Sequence, residues 1–326
     1  MADDPLPQRR TCATMALHHR LLDTSPPYVE ARDRIEDQAF RIEHGARVVE
    51  RPGCTLIPVV VHVIWNSAEH NISRGQIDGQ IEVLNRDFRM RNADLADVPE
   101  VFAPIAADAR IRFALADTDP DGDPTDGIVR VRSTRADFDS GDAIKSDAAG
   151  GSSPWPTDRY LNIWVGRLRG GLLGYAQFPG GPAATDGVVV TTSAFGTTGT
   201  ATAPFDRGRT ATHEVGHWLD LRHIWGDDGD GCSGSDFVAD TPNQGGPNYG
   251  VPTFPTISCS NGPNGDMFMN YLDDAAMVMF TAGQVARMQA ALTGPRAALG
   301  STVDCNDPEA GAYRVRDTDP PGSGDN

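Results

Sequence analysis

The stretch HEVGHWLDLRH, residues 213–223, sets two histidines four positions apart, a glutamate directly after the first, and a third histidine six positions beyond the second. In an α-helix residues four apart share a face, so His213 and His217 present their imidazoles to one point while Glu214 projects beside them. Neutral imidazole suits zinc, and a carboxylate beside an open coordination position can take a proton from water. A helix continuing past His217 would carry His223 roughly 9 Å further along its axis and about 240° round, out of coordinating reach. The chain must therefore break and fold back near residue 220. Glycine is the residue expected at such a break, since it takes positive φ freely; Asp220 stands there instead. Aspartate is among the few other residues that enter the left-handed region, at a cost of about 1 kcal/mol, small against zinc binding. The stretch thus predicts a helix from about Thr210, a turn at Asp220, His213, His217 and His223 as zinc ligands, and Glu214 as general base.

Upstream of this helix the pattern is that of a sheet. IPVVVHVIW (57–65) reads as a strand, followed by ISRGQIDGQIEVLNRDF, in which Ile77, Ile81, Leu84 and Phe88 form one helical face behind a capping Ser73. IRFALAD (111–117), IVRVRST (128–134), YLNIWVG (160–166) and DGVVVTT (186–192) read as further strands. One sheet of about five strands backed by helices is the economical arrangement, an α/β (α+β) fold. Downstream, Thr281 and Gln284 make a capping box, Val285, Met288 and Leu292 an apolar face, and Gly294 a stop for a closing helix. Before the sheet, Tyr28, Ala31, Ile35, Ala39 and Ile42 mark a helix over 25–43 inside an otherwise polar, arginine-dotted N-terminal appendage. The last twenty residues have the composition of a disordered tail.

Composition narrows the function. Net charge is −17, from 45 Asp+Glu against 28 Lys+Arg, which excludes a surface built to neutralise nucleic-acid phosphates. With 39% hydrophobic residues, 35 Gly and 24 Pro among 326 positions, the chain reads as a loop-rich globular body rather than a helix bundle. No apolar run approaches a membrane span, and MADDPLPQRRT at the N-terminus lacks the apolar stretch of a signal peptide. Of the five cysteines, Cys232 and Cys259 flank a Gly/Pro/Asn-rich segment that a bridge would hold together, and form the first expected pair. Cys54 and Cys305 stand near the two ends of the main domain, with their pairing left open. Cys12 is left over.

HEVGHWLDLRH resembles the HExxHxxGxxH signature of the metzincin metalloproteases, with Asp220 at the usual glycine. MFMNYLDD (267–274) resembles their Met-turn, with Met269 beneath the metal and Tyr271 at its side. RHIWGD, GCSGSDFVADTP and NGDMFMNY, in that order, together with LLGYAQFP at 172–179, are most similar to the pappalysins and among them to ulilysin-like enzymes, over roughly residues 54–300. The resemblance implies a metzincin-type zincin with a twisted, mostly parallel five-stranded sheet, preceded by a small helical propeptide. The expected division is a propeptide at 1–53, a catalytic domain at 54–306 with subdomains of about 54–223 and 224–306, and a tail at 307–326.

It implies a secreted zinc endopeptidase, made as a zymogen and acting on proteins or peptides, with Tyr271 adding a hydrogen bond to the tetrahedral species. Cys12 is the expected inhibitory switch, its thiolate occupying the zinc's open position, and cleavage after an arginine near 47–51 would release it. LLGYAQFP corresponds to the rim against which an extended substrate adds as a strand. Asp273 and Asp274 fall where the pocket beyond the scissile bond is walled, favouring a basic residue there, or else face solvent. Asp227, Asp228, Asp230, Asp236 and Asp240 crowd the acidic loop; the resemblance implies calcium there, and Asp236 and Asp240 are the expected ligands. The competing reading is an inactive zinc-binding pseudoprotease serving as a binding module, against which Glu214 and Tyr271 both speak. A thermolysin-like zincin is opposed by His223 and the M-x-Y turn.

Overall fold

The computed structural model of the chain describes residue 7 and residues 9–43, 51–227, 231–265 and 267–307. Its scaffold is built on β1 (Cys54–Trp65), the IPVVVHVIW run. Odd-numbered Val59, Val61 and Val63 face one side of the sheet and even-numbered Val60 and Ile64 the other, and all are buried. A strand covered on both faces has no solvent side, which is why this segment is almost uninterruptedly apolar.

The other strands are β2 (Ile111–Leu115), β3 (Ile128–Arg132), β4 (Leu161–Gly166), β5 (Gly174–Ala176), β6 (Val188–Thr191) and β7 (Ser301–Val303). The sheet runs β2-β1-β4-β6-β5. β2 pairs with the first half of β1 and β3 with the second half, both parallel, so together they act as one interrupted edge strand. β4 and β6 continue in parallel, while β5 is antiparallel to β6 and β7 antiparallel to the start of β1. All five strands read from sequence are present. The two additional ones, β5 and β7, are three residues each, too short for an alternating pattern to register.

On one face, α3 (Arg74–Asp87) packs Ile77, Ile81 and Leu84 against the sheet, and α4 (Arg209–Trp218) lays Ala211, Val215 and Trp218 into the same core. Ser73 caps α3 by accepting the Gln76 N–H, and Thr281 with Gln284 forms a complete capping box for α5 (Ala282–Thr293).

The N-terminal segment departs from its reading as an appendage. It holds two helices, α1 (Thr14–Thr24) and α2 (Pro26–Glu43), of which α1 carries no capping side chain and gave no signal. Leu17 joins the second-face core with Trp164 and Tyr175, and Tyr28, Ile35 and Ala39 are buried along α2, which lies against α5. Both cysteine pairs are bridged: Cys232 to Cys259, and Cys54 to Cys305, the latter joining the start of β1 to the chain just past β7. The expected cleavage stretch lies outside the described residues apart from Arg51, as does the tail from residue 308.

Candidate metal centre

α4 ends at Trp218 and the chain reverses at once. The Leu221 N–H reaches back to the Gly216 carbonyl, and Asp220 sits at φ 79°, the left-handed conformation required of it. Its carboxylate is held by two buried guanidiniums, Arg32 of α2 at 2.6 Å and Arg287 of α5 at 2.9 Å, while Arg287 Nε also donates to the Asp220 carbonyl. Glu36 joins the same group by pairing with both arginines; although burial opposes its charge, Arg287 and Arg32 hold its carboxyl down at about 2. Glycine would satisfy the turn by conformation alone. Here the aspartate is fixed by charge.

The reversal brings the three histidines together. The Nε2 atoms of His213, His217 and His223 lie 3.2, 3.2 and 3.1 Å from one another, all three rings being buried. Each Nδ1 meets an acceptor at 2.7 Å: the Phe268 carbonyl for His213, the Leu221 carbonyl for His217, and the Asp227 carboxylate for His223. These acceptors place the proton on every Nδ1, so the three Nε2 atoms carry lone pairs that face each other. They do not hydrogen-bond to one another; three convergent lone pairs repel unless a cation lies between them. Ligands about 2.0–2.1 Å from a tetrahedral zinc stand roughly 3.3 Å apart, close to the spacing seen. Burial, then the neighbouring imidazoles, push His213 and His217 well below the usual histidine range, which keeps them neutral as ligands must be. The donor set fits zinc.

Cys12 supplies a fourth donor: its Sγ and the three imidazole nitrogens lie within 4.8 Å of one another, the one such cluster of metal-binding side chains among the described residues. Burial and the facing Glu214 push its thiol up, so a thiolate here needs a cation beside it. Glu214 Oε2 lies 3.4 Å from the Cys12 sulfur and accepts the Thr14 hydroxyl at 3.0 Å. Burial raises its carboxyl to about 8, with Cys12, Thr14 and Arg10 pulling the other way. The carboxylate lies so near β5 that a Cβ on Gly174 would come within 3.0 Å of Glu214 Cγ and Oε1.

The segment around Cys12 runs along that same edge. Cys12 bridges Gly174 in parallel, the Ala13 N–H donates to the Gly174 carbonyl, the Leu173 N–H donates to the Thr11 carbonyl, and the Ala176 N–H donates to the Thr14 hydroxyl. The rim strand anticipated in LLGYAQFP is therefore β5, with residues 11–14 added to it.

Below the cluster, Met269 is fully buried, and a Cβ on Gly216 would meet its sulfur at 2.4 Å, so this glycine lets the Met-turn seat under α4. The Tyr271 ring lies 4.8 Å from His223, and its hydroxyl donates to the Cys12 carbonyl at 3.3 Å. Trp225 stacks flat on His223 at 4.4 Å. Neither Trp225, Asp227 nor Thr14 was singled out from sequence as part of the site; Asp227 is taken up orienting His223 rather than lying with the other acidic residues.

Asp274 is buried and not solvent-facing. Its Oδ2 accepts the Arg207 and Arg209 N–H groups at the start of α4, and its Oδ1 pairs with Arg10 at 2.6 Å. Asp273 beside it is half-buried. The Arg10 guanidinium is completed by the Leu272 carbonyl and the Thr210 hydroxyl, each at 2.9 Å, and lies over the Phe205 ring.

In the acidic loop the described carboxylates are engaged separately. Asp236 accepts Thr241 and the Val238 N–H, whereas Asp240 accepts the Thr281 hydroxyl and the Gly283 N–H at the start of α5. The two carboxylates thus serve separate protein donors rather than a common point, and Asp228 and Asp230 lie outside the described residues.

Comparison with known proteins places this geometry. The peptidase family described as "Pregnancy-associated plasma protein-A" matches residues 145–293. "Extracellular metalloprotease 1" of Coccidioides posadasii (strain C735) is 31% identical over 294 residues, covering 86% of this chain and 88% of that protein. The chain belongs to the pappalysin family. A promirolysin mutant from Tannerella forsythia superimposes on this pappalysin with TM-score 0.82 at 47% identity, covering 89% of this chain and 97% of the other. Mature mirolysin from the same organism, in complex with a cleaved peptide, gives TM-score 0.74 at 51% identity over 76% of this chain and 96% of that one. The pappalysin is accordingly a zinc metalloendopeptidase of metzincin fold. Among the described residues no helix is long and apolar enough to cross a membrane.

Proposed function

We propose that the chain is the latent form of a secreted endopeptidase, with residues 1–53 as prosegment, 54–306 as catalytic domain, and His213, His217 and His223 as the zinc ligands. The observation that carries this is the seating of residues 10–14: one short segment caps the histidine cluster with Cys12, engages Glu214 through Thr14 and lines the β5 edge. The promirolysin likeness supports the same reading, as does the smaller share of this chain covered by the mature relative. Two disulfides and relatives named as extracellular support secretion.

Zinc, when bound, supplies Lewis acidity towards the scissile carbonyl and lowers the pKa of water. Glu214 accepts the proton of the attacking water and delivers it to the leaving nitrogen. Tyr271, freed of the Cys12 carbonyl, donates its hydroxyl hydrogen bond to the oxygen of the carbonyl under attack. β5 receives the substrate backbone in the place of residues 11–14. Arg10 fills the pocket beyond the metal as a substrate side chain would, so the preferred residue after the scissile bond is arginine, paired with Asp274. Asp236 is the carboxylate we propose for calcium: it is buried among uncharged donors and burial raises it to about 7, which a cation would relieve.

Cleavage-site mapping by mass spectrometry on a denatured protein, before and after activation and with a chelator, tests the proposal. Chelator-sensitive cuts before arginine that appear only after loss of about fifty N-terminal residues support it, and Asp274→Asn should lower the arginine preference by about 10–100-fold, the worth of a charged hydrogen bond. Equal activity of the intact chain, or cuts indifferent to the residue that follows, would overturn it.

A further inference from the structure

Arg10 and Arg9 stand side by side and do different things. Arg10 is buried in the Asp274 pocket; Arg9 is exposed and lies over the ring of Tyr249, its guanidinium carbon 5.0 Å from the centroid. Tyr249 is itself 39% exposed even with this contact in place. It is nevertheless held in place. The neighbouring Gly250 bridges Leu272 and accepts the Asp273 N–H at 2.9 Å, and the Tyr249 ring lies 6.0 Å from that of Tyr271. The strip that supplies Tyr271, the Leu272 carbonyl and Asp274 therefore also fixes the height of Tyr249 above the pocket.

We infer that Tyr249 is a specificity-determining residue for the second position beyond the scissile bond, where it takes a cationic side chain. This inference rests on the reading of the Asp274 pocket as the site for the first residue after that bond. Residues 9–14 run parallel to β5, and a substrate laid antiparallel to that edge runs the opposite way, so its residue after the one in the pocket falls where Arg9 lies. Side chains alternate along an extended chain, and that next one turns outward as Arg9 does relative to Arg10. The outward side chain meets the face of Tyr249 that Arg9 covers in the latent chain, and a guanidinium or ammonium over a partly exposed aromatic face is held by the ring quadrupole. The chain's net charge of −17 favours the same class of substrate at longer range. The preferred substrates are thus peptides with two consecutive basic residues immediately after the cut.

The test uses the activated enzyme and three quenched fluorescent peptides that share arginine directly after the scissile bond and carry arginine, alanine or glutamate next. The expected kcat/KM ratio of the arginine to the alanine peptide is about two- to fivefold, appearing in KM, with glutamate poorest. In Tyr249→Ala the arginine-to-alanine ratio falls to near one, and in Tyr249→Phe it is retained. A ratio near one in the parent enzyme, or a ratio that Tyr249→Ala leaves intact, overturns the inference. Mass spectrometry of the products separates the two layers: cutting elsewhere than before arginine removes the pocket reading and this one with it, whereas cutting before arginine with a flat second position removes this one alone.

Discussion

Replacing Asp220 by the glycine usual at this position should destabilise the latent enzyme. At φ 79° an aspartate bears a left-handed cost of about 1 kcal/mol, which glycine would remove while adding a similar amount of unfolded-chain entropy, so the backbone terms nearly cancel. What remains is the carboxylate. Without it, Arg32 and Arg287, both buried, are left to share Glu36. Breaking a buried pair costs about 3–5 kcal/mol, and the surviving Glu36 contacts put this case near 3 kcal/mol. For a domain of this size that is roughly a 6–12 °C fall in Tm. Thermal unfolding of the full chain, in a Glu214→Gln background to suppress autolysis, reads the change directly. Arg32→Ala alone and combined with Asp220→Gly closes a double-mutant cycle in which the two effects should be markedly less than additive. A glycine variant melting at or above the parent would refute the idea that charge, rather than mere tolerance, keeps aspartate in the turn.

Three further outcomes are expected. Glu214→Gln in the activated enzyme should lower kcat by about 10²–10⁴-fold while zinc content stays the same, so residual activity near the parent's would remove Glu214 as the base. Asp87, buried under α4 beside Thr212 and Arg209, is raised to about 7, chiefly by burial with Arg209 opposing. The folded chain therefore holds a proton that the unfolded chain has lost between about pH 4 and 7, and stability should fall as pH rises through that window; Asp87→Asn should flatten the slope in urea titrations, and an unchanged slope would count against it. Calcium at a hundred times its dissociation constant should stabilise the parent by about 2.7 kcal/mol and Asp236→Asn little, whereas equal responses would release Asp236 from that role.

The histidine stretch was legible because its geometry is local. Four-residue spacing sets two imidazoles on one face, and convergence of the third on them requires the turn that Asp220 makes. The sheet was legible where strands are long and buried, β1 above all. β5 was recognised only through the wording LLGYAQFP, since three residues containing a glycine carry no periodicity. The prosegment's role was harder to see. Cys12 could be marked by its chemistry, but Arg10, Thr14 and Arg32 act across 188 to 264 positions of sequence on Glu214, Asp220 and Asp274, and nothing local to an arginine or threonine announces such partners. The acidic loop was less legible for the converse reason: density of carboxylates along the chain does not say which of them meet in space, and Asp236, Asp240 and Asp227 each engage a different protein partner.

X-ray absorption at the zinc edge, recorded on the intact chain and again after activation, addresses the centre itself. Three nitrogen neighbours near 2.0 Å and one sulfur near 2.3 Å are expected at first, the sulfur giving way to oxygen once the prosegment is gone. A latent enzyme whose zinc has no sulfur neighbour, or whose sulfur signal persists unchanged in the active form, would contradict the assignment of Cys12 and the three histidines to one ion.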